Sequence, residues 1–443
     1  MGHVFPRHTK ATPPEISHGE GCYVYDVNGK KYLDGCGGAA VSCLGHSDKD
    51  VTAAIKAQLD KIAFAHTGFF TSKPAEDLCD LLIEHAPEGI ERVYLVSGGS
   101  EAVEAALKLA RQYYLEIGQG ERNRVITRMQ SYHGNTLGAL AIGGNMWRRE
   151  PFNPLMIETF HIPACYAYRD QRDDENQYEY GQRMANKLEE ELIRLGPETV
   201  MAFIAEPVVG ATLGAVPAID GYFKRVREIC DKYGVLLILD EVMCGMGRTG
   251  TLFASEQEGI TPDILCIAKG LGAGYIPIGA MMCSGEIYSA IEQGSGFFQH
   301  GHTYMGHPTV AAGSLAVVKA IIERDLIANV VDKGAKLRQA LEQRFGQHPH
   351  VGDIRGRGLF LGIELVKDRE TKEPFDPSHA INKKIKKAAF EVGLMCYPMG
   401  GTIDGKLGDH VLIAPPFIIN DNQIEELADK LLDAVNTACA TAS

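Results

Sequence analysis

Short apolar runs alternate with segments of helical periodicity from about residue 60 to residue 310. Arg92–Val96 predicts a strand, and Glu101–Tyr114 predicts a helix because Val103, Leu107 and Ala110 recur on one helical face. Similar runs predict strands at Val125–Thr127, Val200–Ile204, Val235–Leu239, Ile264–Ile267 and Gly279–Met282. Continuous apolar runs indicate strands covered on both faces, and therefore a largely parallel sheet. Ligands of such sheets bind at the carboxyl ends of the strands.

The last third of the chain has a different pattern, with long helices and few strands. The periodicity predicts helices at Pro308–Glu323, Val330–Phe345, Ser378–Val392 and Asp421–Asn436, and a strand at Gly358–Glu364. Tyr168–Tyr180 is polar and charged, which predicts a surface loop. We therefore expect an α/β protein with a large domain over residues 61–310, which holds the sheet. Residues 1–60 and 311–443 are expected to form a smaller α+β domain.

The composition excludes several classes of function. The chain has 443 residues and a net charge of −13, which disfavours non-specific binding to nucleic acid or to anionic membranes. Met1–Arg7 has no apolar core of signal-peptide length, and no apolar stretch approaches the ~18 residues of a membrane span. The eleven cysteines are scattered and odd in number, which is typical of a reducing compartment. We expect a cytoplasmic protein.

Two charged residues follow predicted buried strands, where an unpaired charge is costly. Lys269 follows the run Ile264–Ala268 and begins a glycine-rich turn, and Asp240 ends the run Val235–Leu239. An amine and a carboxylate at strand ends are the pair that a Schiff-base cofactor needs. Lys269 is alternatively a surface lysine and Asp240 a structural acid. Desolvation and nearby positive charge would lower the pKa of Lys269 and make its amine nucleophilic.

Three further sites lie at strand ends. Ser97–Ala102 is a glycine-containing turn before a helix, where unpaired N–H groups favour an anion such as phosphate; Ser100 as an ordinary helix cap is the alternative. Glu206 follows the strand at Val200–Ile204. Tyr132 follows the strand at Val125–Thr127 and would stack on a planar cofactor or pack in the core.

A histidine cluster lies at His300, His302 and His307. Three histidines within eight residues suggest a metal site. Cysteine and carboxylate partners are missing nearby, and the spacing fits no H-E-x-x-H helix, so no metal is expected.

Taken in order, these motifs resemble the class III pyridoxal-phosphate (PLP) aminotransferases of the ω-aminotransferase type. The resemblance covers Gly19–Leu432, and its most specific stretch is Leu239–Gly250, continuing through Pro262–Ile264 to Ala268–Gly270. It implies the aspartate-aminotransferase fold (PLP fold type I) and a homodimer with shared active sites, or a tetramer of two such dimers. It also implies ping-pong transfer of an amino group from an amine or ω-amino acid to an oxo acid such as pyruvate or 2-oxoglutarate.

The resemblance also assigns roles to individual residues. Lys269 would carry PLP as a Schiff base and then act as the base, and Asp240 would pair with the pyridine nitrogen. Val242 and Tyr132 would cover the two ring faces, and Glu206 would lie beside the ring. The phosphate would be held by Gly99 and Ser100 and by Thr303 of the neighbouring subunit.

The chain departs from its relatives where substrate selection is concerned. Many relatives have an arginine before a Gly-Asp-His segment, but Cys396–His410 contains none and offers only Lys406, which lacks a bidentate fork. This glycine-rich loop could also be a mobile lid. Ala40 stands where amine-accepting relatives often have tryptophan, which predicts a roomier pocket with Phe69 and Phe70 as apolar walls.

Two other functions compete with amino transfer. Related folds run aminomutase, racemase and decarboxylase reactions on the same cofactor, and fold alone does not choose among them. A phosphate- or nucleotide-binding protein without covalent chemistry is the second rival, but neither G-x-G-x-x-G nor a Walker lysine loop is present. Dependence on a second, oxo-acid substrate would separate amino transfer from racemisation and mutase action.

Overall fold

The computed structural model describes residues 3–440; residues 1–2 and 441–443 of the predicted small domain lie outside the described residues. The strands are β1 Ile16–Glu20, β2 Tyr23–Asp26, β3 Lys31–Asp34, β4 Ile90–Val96, β5 Arg124–Arg128, β6 Phe160–Ile162, β7 Val200–Ala205, β8 Val208–Val209, β9 Val216–Pro217, β10 Leu236–Asp240, β11 Ile264–Ile267, β12 Gly279–Ser284, β13 Val351–Arg357, β14 Phe360–Leu365, β15 Leu394–Met395, β16 Tyr397–Gly400 and β17 Asp409–Ile413.

The α-helices are α1 Gly37–Ala40, α2 Lys49–Leu59, α3 Lys73–Glu84, α4 Gly99–Glu116, α5 Leu137–Ile142, α6 Met146–Arg149, α7 Ala167–Asp170, α8 Gln177–Leu195, α9 Tyr222–Tyr233, α10 Gly285–Gln293, α11 Pro308–Glu323, α12 Leu326–Phe345, α13 Ile381–Glu391 and α14 Asp421–Cys439. Short 3₁₀ turns occupy Glu150–Leu155, Pro197–Thr199, Ala254–Glu258, Lys269–Leu271 and Pro377–His379.

A seven-stranded sheet in the order β4-β12-β11-β10-β7-β5-β6 forms the centre of the molecule. All of these strands run in one direction except β12, which is antiparallel to both β11 and β4. The predicted α/β class with a mostly parallel sheet is confirmed. The apolar run at Gly279–Met282 identified β12 as a buried strand, but its composition carries no information about strand direction.

The sheet is buried because helices cover both of its faces. On β10, Ile238 packs in the cluster that contains Val103 of α4, whereas Leu237 and Leu239 pack in the opposite cluster with residues of α8 and α9. Each such side chain contributes about 1.5–3 kcal/mol when fully buried. This two-sided burial accounts for the uninterrupted apolar runs, and it leaves the strand ends as the places where polar side chains reach open space.

The first and last parts of the chain share a second sheet. β1, β2 and β3 form a meander, and β15 pairs parallel to β3 with Leu394 opposite Leu33. β13, β14, β17 and β16 form a separate antiparallel sheet beside helices α12 and α13, and α14 packs on these two helices. The pairing of β15 with β3 brings residues before 60 and after 311 together, while the division into two domains stays a prediction.

One sequence-based prediction about secondary structure is wrong. Tyr168–Tyr180 is not a continuous surface loop, because α7 ends at Asp170 and α8 begins at Gln177. Asn176 and Glu179 form a reciprocal capping box that starts α8 within the polar stretch, and Tyr180 is fully buried. Across residues 3–440, no helix is both long enough and apolar enough to cross a membrane.

Candidate active site

Three strand ends meet at one cleft. Glu206 follows β7, Asp240 ends β10 and Lys269 follows β11, and these three strands are neighbours in the sheet. The cleft has a volume of ≈ 400 Å³. The predicted site residues that line it are Gly99, Ser100, Tyr132, Glu206, Asp240, Val242 and Lys269. The fold therefore places an amine, two carboxylates, an aromatic ring and a glycine turn around one volume.

Lys269 lies in a strained turn at the cleft floor. Its φ is +43°, in the left-handed region, and its carbonyl accepts hydrogen bonds from the N–H groups of Gly272 and Ala273. Burial lowers the pKa of Lys269 to about 8, while Asp240 and Glu206 partly oppose that shift and Arg148 adds to it. The amine is therefore neutral in a useful fraction of molecules near neutral pH, as a nucleophile requires.

Asp240 forms a buried pair with His133. The Asp240 Oδ2 atom is 2.8 Å from His133 Nδ1, and the two side chains are only 4% and 0% exposed. The N–H of Val242 donates to Asp240 Oδ1 at 3.0 Å, and Thr127 Oγ1 lies 3.2 Å from His133 Nε2. Because a carboxylate only accepts, Nδ1 carries the proton in this pair. These contacts hold the Asp240 carboxylate in one orientation at the cleft.

The turn between β4 and α4 is suited to an anion. Gly98 is the N-cap of the 18-residue helix α4, and a Cβ placed on Gly98 would meet nothing within 4 Å. A Cβ on Gly99 would lie 2.8 Å from Val242 Cγ1, so this glycine allows the turn to pack against Val242. Ser100 does not cap the helix; its Oγ accepts from the N–H of Asn135 at 3.0 Å. The helix terminus thus faces open space in the cleft.

Glu206 and Tyr132 contact each other at a second wall. The Tyr132 N–H donates to Glu206 Oε1 at 3.2 Å, whereas Glu206 Oε2 is buried without a partner among the described residues. Burial, and then the nearby Asp240 carboxylate, raise the pKa of Glu206 to about 7. The Arg148 guanidinium carbon lies 4.7 Å from the centre of the Tyr132 ring.

Four predicted residues lie elsewhere in the single chain. Phe69 is 81% exposed, Phe70 is 69% exposed, and Thr303 is also exposed; none of the three lines the cleft. Ala40 has a φ of +60° and is buried in a packed cluster with Val208, while its neighbours Ala39 and Val41 reach the cleft. The roles of these residues stay predictions.

The arginine-free loop is anchored at its base. Gln130 Nε2 donates to the carbonyls of Gly401 and Thr402, and both of these residues are buried. A Cβ on Gly405 would lie 3.3 Å from the backbone nitrogen of Trp147, so the loop packs against α6. Lys406 is exposed and does not line the cleft. These contacts argue against a lid that opens from its base.

Two residues were missed at the sequence level. His133 directly follows the predicted Tyr132, after the same strand. Its position therefore could have indicated that it contacts Asp240. Arg148 gave no signal, because α6 is a four-residue helix in an irregular segment. In the histidine cluster, the His300 and His302 rings contact each other, but no three His, Cys, Asp or Glu side chains within residues 3–440 are grouped to hold a metal.

The donor set fits pyridoxal phosphate. A buried acid with an ordered orientation suits a pyridine nitrogen, a helix terminus beside open space suits a phosphate, and an amine with a lowered pKa suits an aldehyde. The buried, unpartnered Glu206 Oε2 shows that one polar atom of the cleft still lacks the neighbour it would need. Lys269, Asp240, Gly99 and Ser100 are the residues that would hold the group.

Comparisons with known proteins agree with this geometry. A family model described as aminotransferase class-III matches residues 4–435. An uncharacterized aminotransferase of Schizosaccharomyces pombe is 44% identical over 97% of this chain and 94% of its own length. The putrescine–pyruvate aminotransferase of Pseudomonas aeruginosa is 36% identical over 96% and 91%. The crystal structure of the omega transaminase of Pseudomonas jessenii in complex with PMP superposes with a TM-score of 0.93 at 31% identity, covering 100% of this chain and 97% of that one.

Proposed function

This chain is a class-III aminotransferase, and on that premise we propose that it transfers an amino group from an amine or ω-amino acid to an oxo acid. The observation that carries the proposal is the meeting of Lys269, Asp240 and Glu206 at three neighbouring strand ends around one cleft. Pyruvate and 2-oxoglutarate are the proposed acceptors. A relative named for putrescine and pyruvate supports a small amine donor and a short oxo acid.

PLP, when bound, supplies an electron-withdrawing ring and a carbon that takes up and gives back the amino group. The neutral amine of Lys269 is the nucleophile, and it then accepts and returns the proton of the donor carbon. Asp240, oriented by His133 and by the Val242 N–H, would keep the ring nitrogen protonated. Tyr132 and Val242 would cover the two ring faces and exclude water there.

The proposed site includes residues of a second copy of the chain. Thr303, Phe69 and Phe70 are exposed in the single chain, although two of them are large and apolar. A homodimer that buries these residues would add Thr303 to the phosphate end and the phenylalanines to the substrate wall of the partner's cleft. Sedimentation of the purified protein would give the oligomeric state, and a stable monomer would contradict this arrangement.

A half-reaction experiment tests the function. Protein loaded with PLP and freed of excess cofactor is mixed with a panel containing putrescine, butylamine, 4-aminobutyrate and alanine, and its near-visible absorbance is followed. We expect at least one amine to bleach the band and pyruvate or 2-oxoglutarate to restore it. Product formation without any oxo acid would instead indicate an aminomutase, racemase or decarboxylase. Protein that takes up no PLP would contradict the proposed amino transfer through Lys269.

A further inference from the structure

The Arg148 side chain lines the cleft, and its guanidinium lies over the rings of Tyr132 and Trp147. Its Nε atom is buried and has no hydrogen-bond partner, and no carboxylate of residues 3–440 forms an ion pair with it. Its guanidinium carbon is 4.7 Å from the centre of the Tyr132 ring, which holds one face of the group. An arginine has five N–H donors in a planar fork, and its unpaired donors favour an anionic ligand.

Arg148 differs from the other charged residues of the cleft in its availability to a substrate anion. Asp240 and Glu206 are acids, and the pair of Asp240 with His133 is already satisfied. Lys269 is the nucleophile of the proposed function. Arg7 also lines the cleft but is exposed in the N-terminal segment. Arg148 is therefore the half-buried guanidinium available to a substrate.

The position of α6 explains how an arginine reaches this place. The loop at residues 401–408 packs on α6 through Gly405, which lies against Trp147, and Gln130 anchors the base of that loop. Arg148 follows Trp147 directly and points to the cleft. Its effect on the pKa of Lys269 is consistent with a charge near the reacting amine. A carboxylate bound by Arg148 would thus belong to a molecule that also reaches Lys269.

We propose that Arg148 is the specificity-determining residue that binds the substrate carboxylate, whether it belongs to an ω-amino acid donor or to an oxo-acid acceptor. The inference rests on the proposed amino transfer. The planar fork would form two parallel hydrogen bonds to the carboxylate, while Tyr132 holds the guanidinium in place. The arginine-free loop then contributes packing against α6, and its Lys406 has no part in binding.

The test compares pairs of substrates that differ in the carboxylate. Rate constants for the donor half-reaction are measured with 4-aminobutyrate and with butylamine, and those for the acceptor half-reaction with pyruvate and with acetone, so that in each pair a methyl group replaces the carboxylate. In Arg148→Met, we expect the preference for the carboxylated member to fall about 10- to 100-fold, because a charge-assisted contact is lost. Arg148→Lys keeps the positive charge but loses the planar fork, so its preference for carboxylated substrates should lie between those of the original protein and Arg148→Met.

Controls separate Arg148 from the other cations. Lys406→Met removes one positive charge from the neighbouring loop and should leave the preference unchanged. A lower preference for carboxylated substrates in Lys406→Met would overturn the assignment. So would a lower preference in Arg7→Met if Arg148→Met kept the original preference. The donor and acceptor pairs are scored separately, so they show which carboxylate Arg148 binds; an unchanged preference in both would refute the proposal.

Two further measurements distinguish this role from others. Arg148→Met should retain PLP as tightly as the original protein, and a large loss of cofactor affinity would mean that Arg148 serves the cofactor instead. Calorimetry with butyrate, which cannot react, should show weaker binding to loaded Arg148→Met than to the loaded original protein. If the original protein transfers no amino group from any amine, the proposed function fails, while the butyrate titration still decides whether Arg148 binds a carboxylate.

Discussion

Replacing His133 with alanine tests how the cleft holds its central acid. The substitution leaves Asp240 with the Val242 N–H as its remaining hydrogen-bond donor, in a place where the two side chains were 0% and 4% exposed. Loss of a hydrogen bond to a charged group costs about 1.5–3 kcal/mol. Removing one partner of a buried ion pair costs about 3–5 kcal/mol, because the remaining charge is left buried without compensation. We expect the free energy of unfolding to fall by an amount near the lower end of this second range, because water from the cleft can reach Asp240.

A second variant isolates the hydrogen bond from the cavity. In His133→Asn, the amide nitrogen occupies nearly the place of Nδ1 and can still donate to Asp240, although the contact with Thr127 is lost. Urea unfolding of the cofactor-free variants measures the change in stability. Quenching of the single tryptophan, Trp147, measures PLP affinity. The asparagine variant should recover about 1.5–3 kcal/mol of the alanine variant's loss and most of its cofactor affinity.

Either of two results would contradict a role of His133 in holding Asp240. Equal stability and equal PLP affinity in His133→Ala and the original protein would show that the pair does not hold Asp240. Equal losses in the alanine and asparagine variants would show that the ring fills space and that its hydrogen bond to Asp240 contributes nothing.

Other outcomes follow from the same site. Borohydride reduction of PLP-loaded protein should fix the cofactor to Lys269, and Lys269→Ala should retain none by mass spectrometry. Capture of PLP by cofactor-free protein should quicken as pH rises and level off above about 8, because burial lowers the pKa of Lys269 to about 8 and only the neutral amine attacks; a rate independent of pH would contradict this. Gly99→Ala puts a Cβ 2.8 Å from Val242 Cγ1 and should cost about 1–3 kcal/mol in urea unfolding, a loss that Val242→Ala should reduce. Gln130→Ala removes the donors to Gly401 and Thr402, so hydrogen exchange across residues 401–408 should accelerate; unchanged protection would show that another contact holds the loop.

The sequence predicted the parts of the fold that depend on local pattern. β11 and α11 have the bounds that the apolar runs predicted, because two-sided burial and a proline at the first helical position are local signals. The antiparallel direction of β12 depends on how the chain returns after Lys269, which no residue pattern records. α8 begins earlier than its polar composition suggested, because a capping box at Asn176 is compatible with surrounding charge.

In the candidate site, too, local sequence pattern predicts some residues, while others depend on tertiary packing. Lys269, Asp240 and Glu206 could be predicted because each follows an apolar run, and parallel neighbours bring such positions together. Arg148 could not be predicted, because its relation to the loop at residues 401–408 arises from tertiary packing. Ala40 illustrates the limit for the pocket: a tryptophan there would enter a packed cluster, so Ala40→Trp should first lower stability rather than only narrow the cleft.

Amino transfer through Lys269 can be followed with labelled nitrogen. The PLP-loaded protein is given a ¹⁵N-labelled donor other than alanine, chosen from the half-reaction panel, together with pyruvate, and alanine is analysed by mass spectrometry. We expect ¹⁵N-alanine from the original protein and none from Lys269→Ala, because the amine of that lysine moves the proton that completes the transfer. Labelled alanine at the same rate from both proteins, or none from the original protein with any donor and acceptor, would contradict amino transfer through Lys269.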